Sequence, residues 1–106
     1  MNKIELKDLT AKEIVPGYRA KFVHSENMTC AFWEITAGAS LPEHSHIHEQ
    51  ISNVTEGSFE LFINGESHIL GPDSVIVIPG NTPHFGKAIT DCKITDIFYP
   101  IRAEYR

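Results

Sequence analysis

Three of the six histidines stand at alternate positions in His44-Ser45-His46-Ile47-His48, and Gln50 follows two residues later. In an extended chain successive side chains point to opposite faces. His44, His46, His48 and Gln50 therefore share one face, and Ile47 and Glu49 take the other. Imidazoles two residues apart on a strand have Cβ atoms roughly 7 Å from each other and can lean onto one ion. Neutral imidazole suits Zn, Fe, Ni, Cu or Mn, and a Gln carbonyl oxygen is a weaker, uncharged ligand. A single histidine on a strand is ordinarily a surface residue or a satisfied core residue. Three at alternate positions, behind the Gly38 turn and Pro42, point instead to a metal site. His24 and His68 lack such company and read as surface or partly buried residues.

The elements that must hold this cluster read as strand after strand. Met28 to Thr36 is rich in aromatic and branched residues and is broken by Ala37-Gly38-Ala39-Ser40. Glu49 to Thr55 ends at Glu56-Gly57, and Ser58 to Ile63 alternates apolar and polar residues. Asn64-Gly65 is a strong hairpin signal, with Glu66 to Leu70 as the return strand. Gly71-Pro72-Asp73 turns into Ser74 to Ile78, a run apolar enough to be buried on both faces. Pro79-Gly80-Asn81-Thr82-Pro83 makes a rigid loop, followed by His84 to Thr90 and Lys93 to Tyr99. Before the break at Pro16-Gly17, Leu6, Leu9 and Ile14 mark either a short helix or an edge strand. Short strands at about 8–12-residue spacing, with no long amphipathic helix, predict an all-β sandwich or barrel.

Residues 1–106 are enough for a single domain, and 42% hydrophobic residues can build a core without disulfides. The net charge is −5 and the nine Lys and Arg are scattered. Nucleic acid needs a concentrated basic face and is excluded on that ground. A small anion remains compatible, because one well-placed Arg holds a carboxylate. No apolar run approaches the ~20 residues of a membrane helix. The polar start Met1-Asn2-Lys3-Ile4-Glu5 is unlike a signal peptide. Cys30 and Cys92, without CxxC spacing, fit two reduced thiols in a cytoplasmic protein, with an intrachain disulfide as the alternative.

The stretch Gly38-x5-His44-x-His46-x3-Gln50-x6-Gly57 resembles the first motif of the cupin family, G-x5-H-x-H-x3-4-E-x6-G. Gly71 through Pro79-Gly80-Asn81-Thr82-Pro83-His84 resembles the second, which ends P-x-G-x-x-H. Motif 1 thus covers about 38–57 and motif 2 about 71–84 of one cupin domain. The resemblance implies a double-stranded β-helix, or jelly-roll, barrel. It also implies one divalent metal ion (Zn, Ni, Fe or Mn) held by His44, His46, Gln50 and His84, with His48 as the alternative to Gln50. Gln50 replaces the usual Glu, so the protein adds no charge and the ion keeps its full +2 toward an anionic ligand. Ala88 stands where the second motif often ends in Asn. Asn81 replaces a Gly, a mild change because Asn tolerates left-handed geometry.

The ending Asp96-Ile97-Phe98-Tyr99-Pro100-Ile101-Arg102-Ala103-Glu104-Tyr105 resembles the D-x-F-x-P-x-R-x-[DE]-[FY] ending of the KdgF family of pectin-degradation cupins. That family also carries the H-S-H-x-H-x-Q form of motif 1. It converts 4,5-unsaturated uronate monosaccharides to the linear 4-deoxy-5-keto-uronate. Strand alternation puts Asp96 on one face with Ile94 and Phe98, where burial and a nearby cation would pull its pKa in opposite directions. The resemblance makes Asp96 the general acid/base, Arg102 the clamp on the substrate carboxylate and Phe98 the apolar wall for the sugar. On the residues alone, Asp96 is equally a carboxylate bonded to a loop or to Arg102, Arg102 a surface cation, and Phe98 a core residue. Competing readings are a quercetinase-like dioxygenase and a non-catalytic sugar-binding cupin. The resemblance further implies a homodimer, for which the aromatic-rich strand Met28–Thr36 is the candidate interface.

Overall fold

A computed structural model describes residues 2–106. Its strands are β1 (Lys12–Val15), β2 (Tyr18–His24), β3 (Thr29–Ile35), β4 (Ser40–His44), β5 (Glu49–Glu56), β6 (Phe59–Ile63), β7 (Glu66–Leu70), β8 (Val75–Ile78), β9 (His84–Ala88) and β10 (Cys92–Tyr99). They form where branched and aromatic residues run between Gly, Pro and Asn punctuation. The Asn64–Gly65 hairpin shows why. Both residues have positive φ, 49° and 79°, as the turn matching strand twist demands. Short 3-10 turns at Leu6–Asp8 and Ala103–Tyr105 flank the strands.

Two antiparallel sheets result, ordered β1-β2-β3-β10-β5-β8 and β4-β9-β6-β7. They form an all-β jelly roll whose core contains Tyr18, Trp33, Val54, Phe59, Ile78 and Phe98. β10 alternates buried and more exposed positions along its length, and Ile94, Asp96 and Phe98 point inward as their spacing requires. β3 lies inside the larger sheet, with Thr29, Ala31, Trp33 and Ile35 buried.

The expectation of a continuous extended segment from His44 to Gln50 is corrected. β4 ends at His44, and β5 begins at Glu49 in the other sheet. Residues 45–48 turn the corner between them. The alternation itself survives, with Ile47 68% exposed and His48 and Gln50 buried. β4 is an edge strand, which is why Pro42 is tolerated within it. β1, on the segment where the sequence leaves a short helix or an edge strand open, pairs with the unanticipated β2 around the Pro16–Gly17 turn, where Gly17 has φ +83°.

Candidate metal centre

The corner between the sheets brings the histidines together. In the β4–β9 ladder His44 is paired with His84, and their ring centroids are 4.2 Å apart. His46 projects from the corner, its ring 5.1 Å from that of His84. One nitrogen from each of His44, His46 and His84 lies within 4.8 Å of the other two. The Pro79–Pro83 loop holds the corner in place. Asn81, in the left-handed region at φ +60°, donates its N–H to His46 O at 2.6 Å. A side chain at Gly80 would bring a Cβ to 2.5 Å from Ile47 O, so only glycine fits there.

Each of the three rings is oriented in the same way. Nδ1 of His44 donates to Pro42 O at 2.9 Å, that of His46 to His48 O at 3.1 Å, and that of His84 to Thr82 O at 2.8 Å. A carbonyl only accepts, so Nδ1 carries the hydrogen and the lone pair is left on Nε2. Backbone carbonyls fix metal-binding histidines in this manner. His46 Nε2 is buried and has no partner among the described residues, a costly state that a bound cation relieves. Burial lowers the His46 pKa to about 4, helped by Arg102, His84 and His44. Burial also lowers that of His84. Both rings are thus neutral and ready to ligate near neutral pH. Three convergent imidazole lone pairs fit a divalent ion of the Zn, Ni, Fe or Mn type.

His44, His84, Gln50, Asp96, Phe98 and Arg102 line one cavity of about 70 Å³. Gln50 is buried on β5 and donates Nε2–H to Ser52 Oγ at 3.3 Å. His48, the alternative ligand, stands outside the three-nitrogen group. Its Nε2 lies 3.2 Å from Ile101 O and its ring packs against His46 and Phe98. It ties the corner to the segment that carries Arg102.

Asp96 sits opposite Ser52 in the β5–β10 register and accepts a hydrogen bond from Ser52 Oγ at Oδ1. Burial raises its pKa to about 6, against the opposing pull of Ser52, Gln50, Trp33 and Arg102. Arg102 is no surface cation. Its side chain is 11% exposed, and its guanidinium carbon lies 4.9 Å from the Phe98 ring and 4.2 Å from the Tyr105 ring. Its backbone N–H donates to the fully buried Thr29 Oγ1 at 2.9 Å, and Nε donates to Glu104 Oε1 at 3.3 Å. Phe98, 2% exposed, combines both expected roles as core residue and cavity wall.

Sequence reasoning missed Ser52 and Thr29, and placed Tyr105 in the C-terminal motif without a role. Ser52 was accessible by the parity that singled out Gln50, since it lies two residues further on the same face. Tyr105 enters through a turn after the last strand, where no periodicity operates. Cys30 and Cys92 are both free. They lie at opposite ends of the β3–β10 ladder, opposite Ile97 and Ile35, which rules out the intrachain disulfide. Among the described residues no helix is long and apolar enough to cross a membrane.

Comparison with known proteins agrees with this geometry. The cupin domain family model matches residues 31–98. The pectin degradation protein KdgF of Dickeya dadantii (strain 3937) is 30% identical over 97 residues, covering 89% of this chain and 88% of that protein. The structure of KdgF from Halomonas sp. superposes with a TM-score of 0.89 at 28% identity, over 94% of each chain. An RmlC-like cupin from Shewanella frigidimarina NCIMB 400 also reaches 0.89, at 22% identity over 94% and 91% of the two chains, and speaks to the fold alone.

Proposed function

The chain belongs to the cupin family, and from that premise we propose that it is a metal-dependent pectin-degradation enzyme converting 4,5-unsaturated uronate monosaccharides to the linear 4-deoxy-5-keto-uronate. One observation carries the reading. A buried carboxyl, Asp96, and a stacked guanidinium, Arg102, line the same cavity as His44 and His84 of the three-histidine cluster. Likeness to KdgF proteins supplies the substrate class.

His44, His46 and His84, with Gln50 as a fourth ligand, are the residues that would hold the ion. When bound, a divalent ion supplies Lewis acidity toward an oxygen of an anionic ligand. Arg102 pairs with the substrate carboxylate through two parallel hydrogen bonds, and Phe98 packs against the ring. Asp96 takes the hydroxyl proton at C1 as the bond from C1 to the ring oxygen breaks. This leaves an aldehyde at C1, an enolate at C5 and the proton on Asp96. Asp96 then delivers that same proton to C4 as the enolate becomes the C5 ketone, so product and substrate are isomers. A carboxyl with a pKa of about 6 both accepts and releases a proton near neutral pH.

The deciding experiment follows the vinylic C4 proton of unsaturated galacturonate by NMR, with and without a chelator. Conversion well above the spontaneous rate, abolished by the chelator and by Asp96→Ala, is expected. The Asp96→Ala variant should keep its full metal content. No acceleration by the metal-loaded wild type would overturn the reading.

A further inference from the structure

Gln50, Ser52 and Asp96 form a buried polar chain beside the apolar core. Each is 7–8% exposed. Gln50 and Ser52 share the inward face of β5, and Ser52 faces Asp96 across the ladder to β10. Burying three polar side chains together is costly unless every hydrogen in the chain is used, and their order follows from counting donors. A serine hydroxyl has one hydrogen and two lone pairs, and a carboxylate only accepts. Once Ser52 donates to Asp96 Oδ1, its oxygen can only accept from its other neighbour. Gln50 therefore turns its NH2 end toward Ser52, as the 3.3 Å contact from Nε2 records.

The two ends of a Gln amide have nearly the same size and shape, so packing alone does not choose between them. The choice nonetheless matters at this position. Only the carbonyl oxygen can serve a cation, and an NH2 group turned toward one would repel it. We propose that Ser52 is a positioning residue that commits the NH2 of Gln50 to itself and so reserves the Gln50 carbonyl oxygen for the cavity shared with His44 and His84. The proposal rests on the metal-centre reading. It also gives a physical account of a cupin with Gln in place of Glu. A carboxylate presents an oxygen whichever way it turns, whereas an amide needs a fixed neighbour to select its orientation.

Competition between the protein and a chromophoric chelator for Co²⁺ tests this in wild type, Ser52→Ala, Ser52→Thr, Gln50→Glu and the double variant Gln50→Glu/Ser52→Ala. The visible spectrum of bound Co²⁺ is recorded alongside. Loss of a residue that orients a ligand typically weakens binding by about 10–100-fold. Ser52→Ala is expected to fall in the lower part of that range, with an altered Co²⁺ spectrum, and Ser52→Thr to restore both. In the Gln50→Glu background there is no amide to orient, so adding Ser52→Ala should leave affinity and spectrum unchanged. A folded Ser52→Ala protein with wild-type affinity and spectrum overturns the proposal. So does an equal loss on adding Ser52→Ala to wild type and to Gln50→Glu, which would mark a merely structural serine. If wild type itself binds no Co²⁺, the metal-centre reading falls, and with it this inference.

Discussion

His44 and His84 face each other across the β4–β9 ladder with ring centroids 4.2 Å apart, each with Nδ1 on a backbone carbonyl two residues earlier in the chain. The strand pairing that builds the smaller sheet therefore also presents two ligand nitrogens side by side, and His46 completes the set from the corner. His44→Ala or His84→Ala should weaken metal binding by more than about 100-fold, beyond the usual cost of an outer-shell change. Elemental analysis after dialysis should find the variants metal-free and the wild type loaded, with unchanged far-UV circular dichroism. Full metal content in either variant would remove that residue from the ligand set.

Two of the histidines that converge here, His46 and His84, resist protonation. Burial, with the nearby Arg102 and the other rings, lowers the His46 pKa to about 4, and burial lowers that of His84. Protons compete for a ligand only as pH falls to its pKa and below. The loaded protein should therefore hold its ion at pH 5.5, where an ordinary imidazole with a pKa of about 6.5 is mostly protonated. A pH titration of the Co²⁺ spectrum measures this directly. Half-release at about pH 6.5 or above would show that the buried environment does not protect the ligands.

The proposed conversion is an isomerisation and moves no electrons. Zn²⁺ and Ni²⁺ should each restore turnover to chelator-stripped protein, in air and under argon alike. An oxygen electrode should record no uptake even with iron loaded. Oxygen consumption linked to substrate loss would favour the dioxygenase alternative, for which imidazole ligation of Fe(II) is equally suited.

Asp96 carries a cost that depends on pH. Burial raises its pKa from 3.8 to about 6. Between those values the folded chain binds a proton that the unfolded chain has released. Its contribution to stability is thus complete below about pH 4 and is lost as pH rises through about 6, a loss of about 3 kcal/mol. His46 acts in the opposite direction. Its pKa is lowered from 6.5 to about 4, so its contribution is present above pH 6.5 and disappears as pH falls through 4. The two nearly mask each other in the metal-free wild type. Asp96→Asn removes only the first, so its unfolding free energy should climb more steeply between about pH 4 and 6, gaining about 3 kcal/mol on wild type. Urea unfolding of metal-free protein at several pH values provides the comparison, and parallel curves for the two proteins would contradict it.

What the sequence made legible was set by periodicity. Alternation placed Asp96 and Phe98 inward on β10 and Gln50 inward on β5, and the Asn64–Gly65 turn announced its hairpin. Alternation failed where the chain leaves a sheet. Reading His44 to Gln50 as one extended segment missed the corner at residues 45–48, because the bend depends on the distant Pro79–Pro83 loop. Pairing across a ladder was also hidden. That Ser52 meets Asp96 is a matter of register between strands far apart in the chain. β1 was legible only as a choice between a short helix and an edge strand, and β2 not at all, because Lys12–Val15 is largely exposed and Tyr18–His24 buries only part of its length, so neither carries a clean alternation.

Arg102 owes its place to the segment after the last strand. Tyr105 stacks on Phe22 and closes over the guanidinium, 4.2 Å from its carbon, and Phe98 supports the other contact at 4.9 Å. Thr29 holds the backbone through the Arg102 N–H, and His24 contacts both Thr29 Oγ1 and Tyr105 O. Nε is engaged by Glu104 and Arg102 lines the cavity, so in the proposed reading the terminal nitrogens supply the fork. Lysine keeps the charge but loses the planar fork and the stacking on both rings. Charge-assisted hydrogen bonds are worth about 1.5–3 kcal/mol each. Arg102→Lys should therefore lower kcat/KM by about 10–100-fold. Because the proposed mechanism puts the clamp on the carboxylate and Asp96 on the proton, the loss should fall mainly on KM, with kcat changing only a few-fold. Metal content should be untouched, since Arg102 supplies no ligand. Steady-state kinetics on unsaturated uronates with elemental analysis of the same samples tests both statements. A loss confined to kcat would move Arg102 into the proton-transfer step, and an unchanged kcat/KM would remove it from substrate binding.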